Sequence, residues 1–163
     1  MDNAVRIIDQ AQGEIVGVAG DNYRIIIGGS ATGNTFSVID MKIPPGGGPA
    51  PHAHPDIQEW FYVIDGELEY KTEAGRAIVG KGGFVYVPRG GAVHCFKNIS
   101  DRNAHVLCVV LPAGLEEFFK EFGVPVAKDE FPAPIEMTPE VMDKLSVLNA
   151  KYGQTVFRPD YLD

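Results

Sequence analysis

Residues 46–66 read GGGPAPHAHPDIQEWFYVIDG and carry the strongest structural signal in the chain. On an extended backbone every second side chain points to the same side, so His52 and His54 can share one ion. Pro55 cannot donate a hydrogen bond to a β-ladder, so we expect the strand to bend there and Glu59 to begin the next one. An ionised carboxylate on the apolar face of that strand is costly unless it meets a cation or a metal. The stretch therefore predicts a metal site in a β-sheet protein.

A second stretch, residues 82–98, supplies one more candidate ligand. It reads GGFVYVPRGGAVHCFKN, which predicts a strand, a turn and another strand, with His94 on the latter. Three imidazoles and one carboxylate, with no thiolate, suit one divalent transition metal per chain, and Fe, Mn, Ni, Co, Cu and Zn all remain open. The fourth histidine, His105, is a lone strand residue, and we interpret it as structural.

The spacing of these residues resembles the two sequence motifs of the cupin superfamily. The first motif is matched in full, by Gly46, His52, His54, Glu59 and Gly66, and the second is matched by Gly82, Pro88, His94 and Asn98. Gly83 departs from the pattern, because many members have Asp there, and the turn before His94 is one residue longer. The resemblance implies a mostly β cupin double-stranded β-helix (jelly-roll) barrel, with His52, His54, Glu59 and His94 as metal ligands.

Short apolar stretches punctuated by glycine and proline run along most of the chain, a pattern typical of a sandwich or barrel. We expect nine strands, near Glu14–Val18, Tyr23–Ile27, Phe36–Ile43, Glu59–Ile64, Glu67–Thr72, Ala77–Val79, Phe84–Val87, Val93–Lys97 and His105–Leu111. Helical spacing then predicts a helix at Gly114–Phe122 and a second one between Thr138 and Gly153. We interpret residues 1–163 as a single cupin domain, with the barrel core at about 14–111 and a helical C-terminal extension at about 114–163.

The dipeptide Asp65-Gly66 predicts a two-residue type I′ hairpin, which would pair Ile64 with Glu67. Continuing that register gives two faces. The inner face carries Glu59, Phe61, Val63, Leu68 and Tyr70, and the outer face carries Trp60, Tyr62, Ile64, Glu67, Glu69 and Lys71.

The two cysteines, Cys95 and Cys108, lie outside any CxxC pattern, and we expect two buried free thiols. An alternative stays open at this point. A turn near residues 100–103 would place Cys95 opposite Cys108 on paired strands, where a disulfide is conceivable.

Charge and composition limit the partners. Lys and Arg number 14 against 22 for Asp and Glu, which gives a formal net charge of −8 and disfavours nucleic-acid binding. Residues 1–6 show no targeting pattern, and no stretch approaches the roughly 20 apolar residues of a membrane span. We therefore expect a soluble, cytoplasmic protein.

A finer resemblance concerns the activity. The runs PPGGG at 44–48, EWFYVIDG at 59–66, VPRG at 87–90 and LPAGLEEFF at 111–119 are similar to bacterial quercetinase-like, single-domain cupins. That resemblance implies a metal-dependent dioxygenase that opens an enolic aromatic or flavonol-like ring, with Glu59 as both ligand and proton acceptor. It also implies that the helix at Gly114–Phe122 closes the cavity mouth. We expect Phe61, Tyr70, Phe96 and Phe118 to line an apolar substrate pocket.

Two other functions remain open, since cupins host many activities. An oxygen-independent isomerase or lyase acting on a small sugar or keto acid would need a polar pocket with an inward Lys or Arg. A non-catalytic small-molecule binding cupin would show a closed metal or a blocked mouth. In each case the partner is a small molecule, and the aromatic inner face favours an aromatic or apolar one. Trp60, Tyr62 and Ile64 offer an apolar outer surface, from which we expect a homodimer.

Overall fold

The computed structural model describes residues 4–163, which form twelve strands and three helices. The strands are β1 (Glu14–Val18), β2 (Asp21–Ile27), β3 (Ser37–Ile43), β4 (His52–Ala53), β5 (Gln58–Asp65), β6 (Glu67–Thr72), β7 (Gly75–Gly80), β8 (Phe84–Val87), β9 (His94–Lys97), β10 (Ala104–Leu111), β11 (Val124–Pro125) and β12 (Thr155–Val156). The helices are α1 (Gly29–Thr32), α2 (Leu115–Phe122) and α3 (Pro139–Lys151).

Two antiparallel sheets make up the body of the molecule. The larger has the strand order β11-β1-β2-β3-β10-β5-β8, and the smaller has the order β12-β4-β9-β6-β7. Across residues 4–163, the strand pairings keep the two sheets separate instead of joining them into one closed barrel. The predicted mostly β, jelly-roll architecture with C-terminal helices is confirmed.

The core lies between the two sheets because apolar and polar residues alternate along the central strands. In β3 and β10 every second residue is buried, as expected when one face of each strand packs on the core and the other does not. Ile39 and Val106 from the larger sheet and Leu68 from the smaller one are fully buried in the same apolar cluster.

The predicted Asp65-Gly66 hairpin is wrong. β5 pairs with β10 and β8, whereas β6 pairs with β7 and β9, so the chain crosses from one sheet to the other at this dipeptide. Gly66 has the positive φ of 79° that the turn needs, and a Cβ there would meet the Cα of Ala104 at 2.9 Å. The predicted inner face is nevertheless buried, because alternation within each strand does not depend on its partner.

The two cysteines lie in different sheets, which excludes the alternative of a disulfide between paired strands. Cys108 in β10 lies opposite Ile39 and Phe61, while Cys95 in β9 lies opposite Lys71. Both thiols are free and buried, as predicted.

The C-terminal segment folds back over the sheets. α2 and α3 form where helical spacing predicted them, and the Thr138 hydroxyl accepts a hydrogen bond from the backbone N–H of Val141 at the start of α3. The strands β11 and β12 pair with β1 and β4 respectively. With two residues each, they are too short to leave an alternation pattern in the sequence. No helix in residues 4–163 is long and apolar enough to cross a membrane.

Candidate metal centre

The four predicted ligands come from both sheets and meet between them. His52 in β4 lies opposite His94 in β9, and His54 follows directly after β4. His52 and His94 therefore belong to the smaller sheet and His54 adjoins it, whereas Glu59 lies in β5 of the larger sheet. The bend at Pro55 lets the chain pass from one sheet to the other within five residues.

The glycine run 46–48 holds the chain close to β9 shortly before His52. Its backbone exchanges two hydrogen bonds with the backbone of Asn98, at 2.8 and 2.9 Å. Gly48 has φ of +129°, and a Cβ there would lie 2.1 Å from the carbonyl oxygen of Phe96. Only glycine allows the loop to run this close to β9. The cupin-like glycine spacing thus has a steric reason in this chain.

The ligand atoms of the four residues all lie within 4.8 Å of one another. Glu59 Oε2 is 3.2 Å from His94 Nε2 and 3.5 Å from His54 Nε2, and the ring centroids of His52 and His94 are 4.4 Å apart. Glu59, His54 and His94 are at most 3% exposed, and His52 is partly buried. The cluster is compact enough for one divalent metal ion to contact all four side chains.

Backbone carbonyls set the tautomer of two of the imidazoles. Nδ1 of His52 lies 2.9 Å from the carbonyl of Ala50, and Nδ1 of His94 lies 2.9 Å from the carbonyl of Ala92. A carbonyl only accepts, so each Nδ1 carries a proton and donates it. Nε2 of the neutral His52 ring then has its lone pair free, which is how metal-ligating histidines are commonly oriented, whereas Nε2 of His94 shares a proton with Glu59 Oε2.

The surroundings of His54 indicate whether the four residues fit a metal ion. The side chain is 3% exposed, yet neither ring nitrogen has a hydrogen-bond partner among the described residues. A buried polar group without a partner typically destabilises a protein by about 1–3 kcal/mol. A bound metal ion would satisfy one of these nitrogens, so the donor set fits a divalent transition metal.

Burial and the neighbouring charges shift the pKa values of the four candidate ligands. Burial first, and the neighbouring imidazoles second, lower the pKa of His52 to about 3, and burial also lowers the pKa of His54. Burial alone would raise the pKa of Glu59, but the hydrogen bond from His94 and the charges of the imidazoles outweigh it and lower that pKa. Burial would lower the pKa of His94, but Glu59 outweighs it and raises the pKa. Metal binding must therefore displace the proton that His94 shares with Glu59.

A cavity of about 730 Å³ opens beside the cluster, and His52 and Glu59 form part of its wall. Phe61, Phe96 and Phe118 line it as well, and α2 and α3 close one side. Tyr70 lies one layer behind this lining, with its ring centroid 5.8 Å from that of Phe61 and 5.4 Å from that of Phe96.

The chemical character of the cavity is mainly apolar. In the part of the chain that the structure describes, no lysine or arginine lines it. Sequence reasoning missed one charged residue of the wall, Asp21, which is 3% exposed. Asp21 follows Gly20 and resembles an ordinary turn residue, so no motif marked it. Only its burial distinguishes it.

Known proteins are similar to this chain in sequence and in fold. The sequence profile described as the cupin domain matches residues 39–110, which include all four ligand candidates. The matched residues are thus similar to the cupin domain, and the chain has the cupin jelly-roll fold. A probable germin-like protein, subfamily 2 member 5, from Arabidopsis thaliana is 35% identical over 95 residues, which cover 55% of this chain. The match spans 43% of the germin-like protein, so less than half of that relative is represented.

Two solved structures are also similar to this chain. A predicted oxalate decarboxylase from Thermotoga maritima superposes with a TM-score of 0.60 at 16% identity, covering 66% of this chain and 99% of the other. A sugar phosphate isomerase of the cupin superfamily from Silicibacter pomeroyi superposes with a TM-score of 0.52 at 25% identity, covering 65% of this chain and 69% of the other. The first likeness, at this low identity, shows the fold alone.

Proposed function

We propose that this cupin is a metal-dependent dioxygenase that opens an enolic aromatic or flavonol-like ring. The observation that carries the proposal is the position of the cluster of three imidazoles and one carboxylate, at the wall of an apolar cavity. The volume of about 730 Å³ lies within the range of small-molecule sites, which runs from roughly 300 to 1,000 Å³. An aromatic ligand matches such a lining.

In this proposal His52, His54, His94 and Glu59 hold the metal, which supplies Lewis-acid and redox chemistry when bound. Four protein ligands on a six-coordinate ion leave two positions for other groups. Glu59 has a second role as the acceptor of the proton from the enolic hydroxyl, since a carboxylate with a lowered pKa starts the reaction ionised. The aromatic walls orient the ring and exclude water.

The cavity lining weighs against the two other functions. The isomerase or lyase alternative, acting on a small sugar or keto acid, needs a polar pocket with an inward lysine or arginine, and no lysine or arginine of residues 4–163 lines the cavity. A purely binding cupin is less well supported, because His52 and Glu59 form part of the cavity wall. A ligand can therefore reach the ion itself.

Metal content and oxygen uptake test the proposal. Elemental analysis of the purified protein should show one transition metal ion per chain, absent in His52→Ala and retained in His105→Ala, a matched control outside the cluster. Oxygen uptake is then measured with quercetin after loading with Fe, Mn, Ni or Co. Uptake by the wild-type protein and not by His52→Ala supports the dioxygenase. No uptake with any of the metals refutes it.

Self-association stays a prediction. Tyr62, Phe84 and Tyr86 on β5 and β8 are 47%, 59% and 54% exposed, which leaves aromatic surface at the edge of the larger sheet. We propose that a second copy covers it. Sedimentation equilibrium should give twice the monomer mass for the wild-type protein and the monomer mass for Tyr62→Glu.

A further inference from the structure

One acidic side chain in the cavity wall is unexplained by the metal centre. Asp21, at the start of β2, is 3% exposed, and its Oδ2 accepts a hydrogen bond of 2.8 Å from the Tyr23 hydroxyl. Its Oδ1 has no hydrogen-bond partner among the described residues. Buried carboxyl oxygens are rarely left in this state, because each unmet hydrogen bond destabilises the fold. A group supplied by a ligand would complete the pattern.

The surroundings hold this carboxyl in place and leave room for its second oxygen. Tyr23 is itself fixed, since its ring packs edge-on against Phe119 with the centroids 5.1 Å apart. A Cβ at residue 47 would lie 2.4 Å from Asp21 Oδ1, so Gly47 makes room for this oxygen. Burial raises the pKa of Asp21 and the hydrogen bond from Tyr23 lowers it. Burial is the larger effect, and the resulting pKa is about 7.

The sheet register separates Asp21 from the metal centre. Glu59 lies opposite Val110, which lies opposite Ser37 in β3, whereas Asn22, the neighbour of Asp21, lies opposite Lys42. Ser37 and Lys42 are five residues apart along β3, so Glu59 and Asp21 are separated by roughly 17 Å along the strand direction. Both ends belong to the same cavity. A ligand that contacts both ends must be elongated.

We propose that Asp21, positioned by Tyr23, determines substrate specificity by accepting a hydrogen bond from a hydroxyl at the end of the substrate remote from the metal-binding oxygens. The inference rests on the proposed function and narrows the substrate class to elongated, hydroxylated enolic aromatics that carry no anionic group. An anion at that end would face the carboxylate of Asp21 without a cation to balance it. An unsubstituted ring would leave Oδ1 unpaired.

Ligand binding without turnover tests the inference. The probes are 3-hydroxyflavone and its derivatives with one added hydroxyl, at position 4′ or 7, titrated anaerobically into the metal-loaded protein at pH 8.5. The measured quantity is the ratio of the Kd of the parent to the Kd of the hydroxylated probe. A hydrogen bond to a charged group predicts a ratio on the order of ten or more for the better derivative.

Three variants separate recognition from structural support. The double variant Asp21→Leu with Tyr23→Phe removes both hydrogen-bonding partners together, which leaves no unpaired buried group. It should bring the ratio of the two Kd values to about one. Tyr23→Phe alone keeps the carboxyl but loses its anchor, so its ratio should fall between the two. If the double variant does not fold, Asp21→Asn serves instead. It should lose the preference for a 4′-hydroxyl over a 4′-methoxyl probe, because an amide can donate to either oxygen.

The outcomes are distinguishable. A ratio of about one in the wild-type protein for both derivatives, or an unchanged ratio in the double variant, overturns the role of Asp21 and leaves the proposed function standing. Failure of the wild-type protein to bind any of the probes, the parent included, overturns the proposed function and the role of Asp21 with it. A ratio that collapses only in the variants establishes the inference.

Discussion

Replacing Asp21 by an asparagine should change how the stability of the protein depends on pH. Burial raises the pKa of Asp21 from 3.8 to about 7, so the folded protein prefers the neutral carboxyl. A carboxyl with a raised folded pKa contributes stability that is fully present below the unfolded pKa and is lost as the pH rises through the folded pKa. Wild-type stability should therefore fall between about pH 4 and pH 7 on account of this group.

The two pKa values give the size of the effect. The total loss is about 4 kcal/mol, of which about 2.5 kcal/mol falls between pH 5 and pH 8. The amide introduced by Asp21→Asn would not titrate, and its carbonyl oxygen can still accept the hydrogen bond from the Tyr23 hydroxyl. The free energy of unfolding of the variant should accordingly rise relative to that of the wild type as the pH rises. The variant should be the more stable of the two at pH 8.

Urea denaturation of both proteins, metal-free, at pH 5 and pH 8 provides the measurement. The imidazoles and Glu59 also titrate, but they are common to both proteins and cancel in the difference between the two free energies of unfolding. That difference should change by about 2.5 kcal/mol between the two pH values. Parallel pH profiles would refute the reasoning, because they would mean that Asp21 has an ordinary pKa in the folded protein.

Three further predictions concern the metal centre, the glycine run and the thiols. Glu59→Gln should weaken metal binding by more than about tenfold, as seen by competition with a chelator, and an unchanged affinity would remove Glu59 from the ligand set. Gly48→Ala should lower the free energy of unfolding by about 3 kcal/mol or more in urea, whereas Gly90→Ala, which shares a positive φ but has nothing within 4 Å, should lose about 1 kcal/mol. Equal losses would mean that contact with β9 is unimportant. Cys95 and Cys108 should react with a thiol reagent only after unfolding, since burial raises the pKa of both, and rapid reaction of the native protein would contradict their burial.

The metal centre was the part most accessible from the sequence. Motif spacing singled out the four residues that the structure brings together in a cluster able to hold a metal ion, namely His52, His54, Glu59 and His94. Alternation of apolar residues located the longer strands, since one face of each strand packs on the core.

Features that depend on long-range pairing were less accessible. The Asp65-Gly66 dipeptide favours a local hairpin, but β5 and β6 each pair with other strands, and that competition is not encoded near the turn. Tyr70 shares the inner face with Phe61, yet only three-dimensional packing shows that it lies behind the lining. Asp21 carries no motif, and its burial results from contacts with distant segments.

The strand that carries His52 is held from both sides. β9 pairs with it on one edge and β12 on the other, and the backbone N–H of Phe157 donates to the carbonyl of Pro51 just before it. We predict that anchoring of residues 155–157 and binding of an ion by His52 strengthen each other by the same factor. Proteolysis or a fusion that detaches this short segment should therefore weaken ion binding, although all four ligand residues are unchanged.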